Sequence, residues 1–223
     1  MGKRVAVLLS GCGVMDGSEI QESVFTLLAL DNAGAQAVCF APSGDQAEVF
    51  DHAAGKATGE RRAMIAEAAR IARGNIADVA QARAADFDAL IIPGGLGSTK
   101  NLCTHAVDGL QARVHPDVAR VVREFAAAGK PVGAMCLAPV TVAAVFKDDS
   151  VVKPQLTIGN DKATAAGIAG FGAVHHDCAV RDIIIDHRHR IVTTPAYMLG
   201  QGPAEVFVGV EKLVKAVLDF CAG

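Results

Sequence analysis

Gly133-Ala134-Met135-Cys136-Leu137-Ala138-Pro139 joins a short apolar run to a helical one through a cysteine. Lys130–Met135 follows Gly129 and reads as a central strand. Leu137–Phe146 repeats apolar residues at helical spacing, with Pro139 in the first turn, where a missing N–H costs nothing. The spacing places Cys136 on a sharp strand-to-helix corner, its sulfur aimed along a helix N-terminus. The partial positive charge of such a terminus favours the thiolate, which is the nucleophilic form of cysteine. A buried structural cysteine fits the same local pattern, and the stretch by itself leaves both readings open.

Outward from this corner, apolar strands alternate with helices. Lys3–Leu9 is a continuous apolar strand that runs into the turn Ser10-Gly11-Cys12-Gly13. Ser18 and Gln21 have capping-box spacing, and a helical face runs from Ile20 to Gly34. Ala35–Ala41 is the next strand, Pro42–Gly59 a polar connection, and Glu60–Arg73 a helix ended by Gly74. Ala89–Ile92 is a short buried strand stopped by Pro93-Gly94-Gly95, and a helix near Pro116–Ala128 precedes the cysteine strand. Val180–Ile185 and Arg190–Thr193 form a hairpin about a turn holding His187 and His189, both read as solvated. An amphipathic helix after Pro203 closes the chain. The expected fold is therefore a single α/β domain over residues 1–223, a three-layer sandwich on a mostly parallel sheet.

The chain has 223 residues, a net charge of −3 and 51% hydrophobic residues, ample for a sizeable core. A near-neutral, slightly acidic surface does not suit nucleic acid or an anionic membrane as partner. Neither a signal peptide nor a membrane-spanning segment is evident. The six cysteines are scattered without a C-x-x-C pair and read as reduced thiols, so the expected location is the cytoplasm.

Sites in parallel α/β sheets form outside the carboxyl ends of the strands. Cys136, Gly94-Gly95 and the Ser10–Gly13 turn all fall at such ends. Glycine lets the backbone approach a ligand closely, so the N–H of Gly95, with that of Leu137, can form an oxyanion hole beside the cysteine. An ordinary tight turn at Gly94 remains the alternative. Glu22, about one turn into the first helix, opens onto the same edge and can hydrogen-bond a sulfur or shuttle a proton. Glu19 is better placed for the plain role of an acidic residue at a helix start. His175-His176-Asp177-Cys178 carries ligand-type side chains, but neighbours on a strand point to opposite faces, so no metal site is expected there. His105 follows the Gly-Gly loop and reads as a surface residue. No phosphate-binding loop or H-E-x-x-H is present, and no cofactor is expected.

Ile92-Pro93-Gly94-Gly95, followed about forty residues later by Gly133-Ala134-Met135-Cys136, resembles the PfpI branch of the class I glutamine amidotransferase-like superfamily. Within it the chain is most similar to the ElbB-like glyoxalases, known also as isoprenoid-biosynthesis proteins. The segments that carry this likeness are Leu8–Val14, Asp16–Ile20, Gly34–Pro42, Lys100-Asn101-Leu102, Leu156–Gly159 and Ile191–Leu199. They occur in family order along nearly the whole chain. The resemblance implies a flavodoxin-like sandwich, a homodimer, and conversion of glyoxal, or another small dicarbonyl, to a hydroxy acid without metal or glutathione. Related deglycase activity on glycated groups is implied too. Carried over by position, Cys136 is the nucleophile, Glu22 the carboxyl beside it, and Gly95 and Leu137 the oxyanion donors.

Two departures narrow the chemistry. The late His-x-Glu pair of glutamine amidotransferases is absent, and the stretch Gly159-Asn160-Asp161, where many PfpI-type relatives carry a histidine, has none. Glutamine hydrolysis and peptidase activity are therefore not implied, and Asp161 reads as a helix N-cap. The alternative function is non-enzymatic, a redox-sensing or partner-binding protein built on a reactive cysteine.

Overall fold

The structure, a computed structural model, describes residues 2–222. β1 (Arg4–Leu8), α1 (Ile20–Asn32) and β2 (Gln36–Ala41) open the chain. β3 (Phe50–Asp51), β4 (Lys56–Ala57), α2 (Met64–Ile71) and β5 (Ile76–Asp78) follow. β6 (Ala89–Ile92) leads to the short α3 (Gly97–Lys100) and α4 (His105–Asp108), then to α5 (Pro116–Ala127). β7 (Val132–Met135) and α6 (Ala138–Val145) flank Cys136. The rest comprises β8 (Gln155–Leu156), α7 (Lys162–Gly170), β9 (Val174–His175), β10 (Ile184–Asp186), β11 (Ile191–Thr194) and α8 (Pro203–Phe220).

Seven strands form one sheet in the order β10-β11-β7-β6-β1-β2-β5. Every pairing is parallel except β10 with β11, the hairpin. Parallel strands carry helices on both faces and so read as unbroken apolar runs, and the two-residue period sorts them. Val5, Val7 and Leu9 face one layer, where Ala29 and Leu30 of α1 meet Val210, Leu213, Val214 and Val217 of α8. Ala6 and Leu8 face the other, with Val118, Val121, Val122 and Phe125 of α5 and the apolar body of α6. Gly133 lets α8 lie close against β7, because a Cβ there would stand 2.9 Å from Leu213 Cδ2.

The elements expected from the sequence are present, with five corrections. The cap of α1 is Glu19, whose side chain accepts the Glu22 N–H at 2.7 Å. Ser18 is turned inward instead, where its Oγ accepts the Ser10 N–H at 2.8 Å. The helix expected over residues 60–73 is only Met64–Ile71, since Arg61 and Arg62 pair with Asp45 and Glu60 ahead of it. The polar connection after Pro42 contains the small β3–β4 hairpin, and the edge strand β5 was not anticipated. His189 is not solvated, because its Nδ1 lies 2.7 Å from the buried carboxylate of Asp186. By contrast Asp161 caps α7 as expected, accepting from the Thr164 N–H at 2.8 Å.

Phe125 is fully buried between α5 and the sheet. Phe125→Ala is expected to lower unfolding stability by about 3–5 kcal/mol, read as a reduced urea midpoint at unchanged slope.

Candidate active site

Cys136 follows the last residue of β7 and takes φ 57°, a left-handed conformation that a non-glycine residue adopts only under constraint. Its N–H donates to the Thr194 carbonyl at 3.1 Å, which anchors the strained residue to β11. Leu137 then enters α6, whose first turn holds Pro139. The side chain thus stands at the carboxyl edge of the sheet and is only 5% exposed.

Three segments meet at that sulfur. The N–H groups of Gly95 and Leu137 are both hydrogen-bonded to it, and the Glu22 carboxyl bonds it from the side. Glu22 is fully buried, and each of its oxygens is fixed by a peptide. Gly94 N–H donates to Oε2 at 2.9 Å and Tyr197 N–H to Oε1 at 3.1 Å. Gly94 has no room for a side chain, because a Cβ there would fall 2.3 Å from Cys136 Cβ and 2.7 Å from Glu22 Oε2. Gly95, at φ 94°, needs glycine for its conformation, and Gly17 O would lie 2.4 Å from a Cβ there. Gly94 O also accepts the Glu19 N–H at 3.0 Å, joining this loop to the start of α1.

Burial, then the charge of Glu19, push the Glu22 carboxyl up to about 7, against the N–H groups of Tyr197 and Gly94 and the Cys136 thiol. Burial, and next the Glu22 charge, push the Cys136 thiol well above its ordinary value, against the two N–H groups. This corrects the expectation of a thiolate favoured by the helix terminus alone. Desolvation and a neighbouring carboxylate outweigh one helix end in a site closed to water. The two groups titrate as a pair.

No histidine is among the groups bonded to Cys136. His52 lies against Asp16, His105 packs on Phe171, and His115 caps α5. His175 reaches the Ile158 N–H, His176 meets Gln155, His187 packs on Phe220, and His189 pairs with Asp186. Among the described residues no cluster of three or more His, Cys, Asp or Glu is placed to hold a metal, and no helix is long and apolar enough to cross a membrane. Cys103 lies elsewhere, buried beside Thr141 at 3.4 Å.

Two site residues escaped the sequence reading. Tyr197 contributes through its peptide, which side-chain chemistry cannot reveal, although it lies in the quoted Ile191–Leu199 segment. Asn101 ties three segments together, its Nδ2 donating to Ser10 O at 2.7 Å and Asp16 O at 2.8 Å while Oδ1 accepts the Ala47 N–H at 2.8 Å. An amide after a Gly-Gly turn, able to donate twice and accept at once, was the available signal.

A doubly covered parallel sheet with a strained cysteine at a strand-to-helix elbow defines a class I glutamine amidotransferase-like protein. The chain belongs to the DJ-1/PfpI family, whose model, described as "DJ-1/PfpI family", matches residues 3–147. That family includes glyoxalases, deglycases and proteases. The chain is 42% identical over 226 residues to the human mitochondrial glutamine amidotransferase-like class 1 domain-containing protein 3, covering 97% of this chain and 82% of that protein. It is 30% identical to the zebrafish (Danio rerio) mitochondrial ES1 protein, with 98% and 86% covered. A crystal structure from Ehrlichia chaffeensis, of an isoprenoid biosynthesis protein with an amidotransferase-like domain, superimposes with a TM-score of 0.90 at 38% identity, covering 97% and 99% of the two chains.

These relatives overturn the cytoplasmic location expected from the sequence, since the curated ones are named as mitochondrial. Surface charge and scattered thiols describe the folded body of a protein and are no address, which is why that reading failed.

A pH test follows from Glu22. Its pKa is raised on folding, so stability is greatest where both states hold the proton and falls as pH climbs from about 4.5 to about 7. The fall assigned to this group is about 3 kcal/mol. Glu22→Gln is expected to flatten stability against pH in that window, measured by urea melts at half-unit steps.

Proposed function

We propose that the protein is a cofactor-independent glyoxalase acting on glyoxal and related small 2-oxoaldehydes. The observation that carries this reading is the fully buried Glu22 carboxyl bonded to the Cys136 sulfur and poised near neutrality. Carbon–hydrogen proton transfer needs a base of this kind. A cysteine hydrolase instead relies on a histidine beside the thiol, and none contacts Cys136. Similarity to an isoprenoid biosynthesis protein of Ehrlichia chaffeensis supports the family likeness, while the residues around Cys136 offer no diphosphate chemistry to match that role.

In the proposed mechanism Glu22 takes the thiol proton as the sulfur attacks one aldehyde carbon. The carbonyl electron pair becomes an oxyanion, received by the N–H groups of Gly95 and Leu137 as they leave the sulfur. Return of the proton gives a hemithioacetal. Glu22 then removes the hydrogen on the sulfur-bearing carbon, an enediolate forms, and reprotonation at the neighbouring carbon yields a thioester of the hydroxy acid. Water cleaves the C–S bond and releases glycolate and the free thiol. Oxidation of one carbon is balanced by reduction of its neighbour, so no external oxidant or reductant enters.

Cys136→Ala is expected to abolish hydroxy-acid formation from glyoxal. Glu22→Gln should reduce kcat/KM by about 10²–10⁴. In the wild-type protein kcat/KM should rise with pH through about 7 as Glu22 ionises, and this limb should vanish in Glu22→Gln. Hydroxy acid measured by chromatography at equal rates in wild type and Cys136→Ala overturns the proposal.

We also propose the homodimer that the family likeness implies. It is supported by the exposed apolar stripe Ile20, Val24 and Leu28 along α1 and by the exposed Val14. Val24→Asp should halve the sedimenting mass, and a wild-type mass near the 23.0 kDa of one chain removes the dimer.

A further inference from the structure

At the opposite edge of the sheet from Cys136, before β7 and β11 begin, lies a cavity of about 340 Å³. Arg123, Arg188, Arg190 and His189 line it together with one acid, Asp149, in a chain whose net charge is −3. Asp149 is already committed, its Oδ1 accepting the N–H groups of Val151 and Val152 at 2.7 and 2.9 Å. Three arginines against one carboxylate leave the lining with an excess of positive charge, Asp149 offsetting part of that of Arg123. Its wall is apolar, formed by Phe146, Val152 and Ala126.

The imidazole of His189 is held for this cavity. Asp186, 1% exposed, accepts the Gln155 N–H at 2.8 Å, the His189 N–H at 3.0 Å and His189 Nδ1 at 2.7 Å. A carboxylate only accepts, so Nδ1 carries a proton and Nε2 is the ring nitrogen left for a ligand, an acceptor in the neutral ring and a donor in the imidazolium. The hairpin turn itself needs only the bond to the His189 N–H. Burying a charged partner behind the ring is costly, and what it adds is a fixed imidazole orientation, the role of a carboxylate behind a working histidine. Arg188 is exposed in the same turn, and the Arg123 guanidinium, bonded to Val145 O through Nη2 at 2.7 Å, keeps further N–H groups free. Arginine forks match the oxygens of carboxylates and phosphates.

We infer that this cavity binds a small organic anion, its phosphate or carboxylate head between Arg188 and Arg123 and accepting the Nε2 proton of the His189 imidazolium, its apolar body against Phe146 and Val152. The site is separate from the proposed glyoxalase centre and does not depend on it.

Full-length protein titrated with phenyl phosphate, benzoate and uncharged phenol tests this, followed by calorimetry and by the ring resonances of His189. Saturable binding of either anion, with movement of the His189 signals and none by phenol, is the expected result. Arg188→Ala and His189→Gln should each weaken that binding about tenfold, and Cys136→Ala should leave it unchanged. Arg188 is a surface turn residue, so its variant reports on binding even if His189→Gln folds poorly. The assignment is overturned if neither anion saturates, if phenol binds as well as the anions, or if Arg188→Ala binds with wild-type affinity.

Discussion

A carboxyl group with no exposure to water holds the carboxyl edge of this sheet together. Glu22 comes from α1, Gly94 from the turn after β6, Tyr197 from the segment after β11, and Cys136 from the elbow after β7. Leaving a buried carboxylate unpaired would cost several kcal/mol. Two peptide N–H groups and a thiol meet that demand, and raising the carboxyl to about 7 lets a proton meet the rest. The helix α1 and three connecting segments are thereby fixed relative to one another by a single side chain. The same arrangement that makes the burial tolerable sets a carboxyl group beside the sulfur, the group that the proposed mechanism uses as its base.

The glycines nearby are consequences of the same closeness. Gly94 sits where Cys136 Cβ and Glu22 Oε2 already fill the space of a side chain, and Gly95 adopts a conformation that turns its N–H toward the sulfur. On the sheet side Gly133 lets α8 approach β7 within van der Waals reach of Leu213. Each is a position of steric demand, and together they set where Cys136 can stand.

The frame of the molecule was readable because a parallel sheet covered on both faces demands unbroken apolar strands, as in Arg4–Leu8 and Ala89–Ile92. The elbow was readable because Met135 ends an apolar run and Pro139 suits only a first helical turn. Short edge pieces such as Ile76–Asp78 carry too few residues for a period to show. Glu22 could be placed from its distance into α1, whereas its partner Tyr197 acts through a peptide 175 residues away and leaves no mark on side-chain pattern. The cap of α1 was misassigned to Ser18 because spacing alone cannot tell a serine turned toward the helix from one turned inward to Ser10. His189 was read as solvated because polarity in a turn hides a buried aspartate three residues earlier.

The strain at Cys136 explains why the elbow needs neighbours on both sides. A left-handed cysteine costs of order 1–3 kcal/mol and persists only where surrounding contacts overdetermine it. The N–H bond to Thr194 fixes it to β11, the N–H groups of Gly95 and Leu137 hold its sulfur, and Gly94 closes against its Cβ. Removing the thiol's partners would allow the backbone to relax toward ordinary angles and carry the sulfur away from the oxyanion donors. An exposed, flexible cysteine with a lower pKa would ionise more readily yet lack fixed N–H groups for the charge that develops on attack. Here burial makes the thiol hard to ionise alone, and in the proposed mechanism Glu22 takes its proton only as an electrophile occupies the site. A strained backbone and a neighbouring carboxyl group distinguish this cysteine from Cys103, equally hidden but with no carboxyl group beside it.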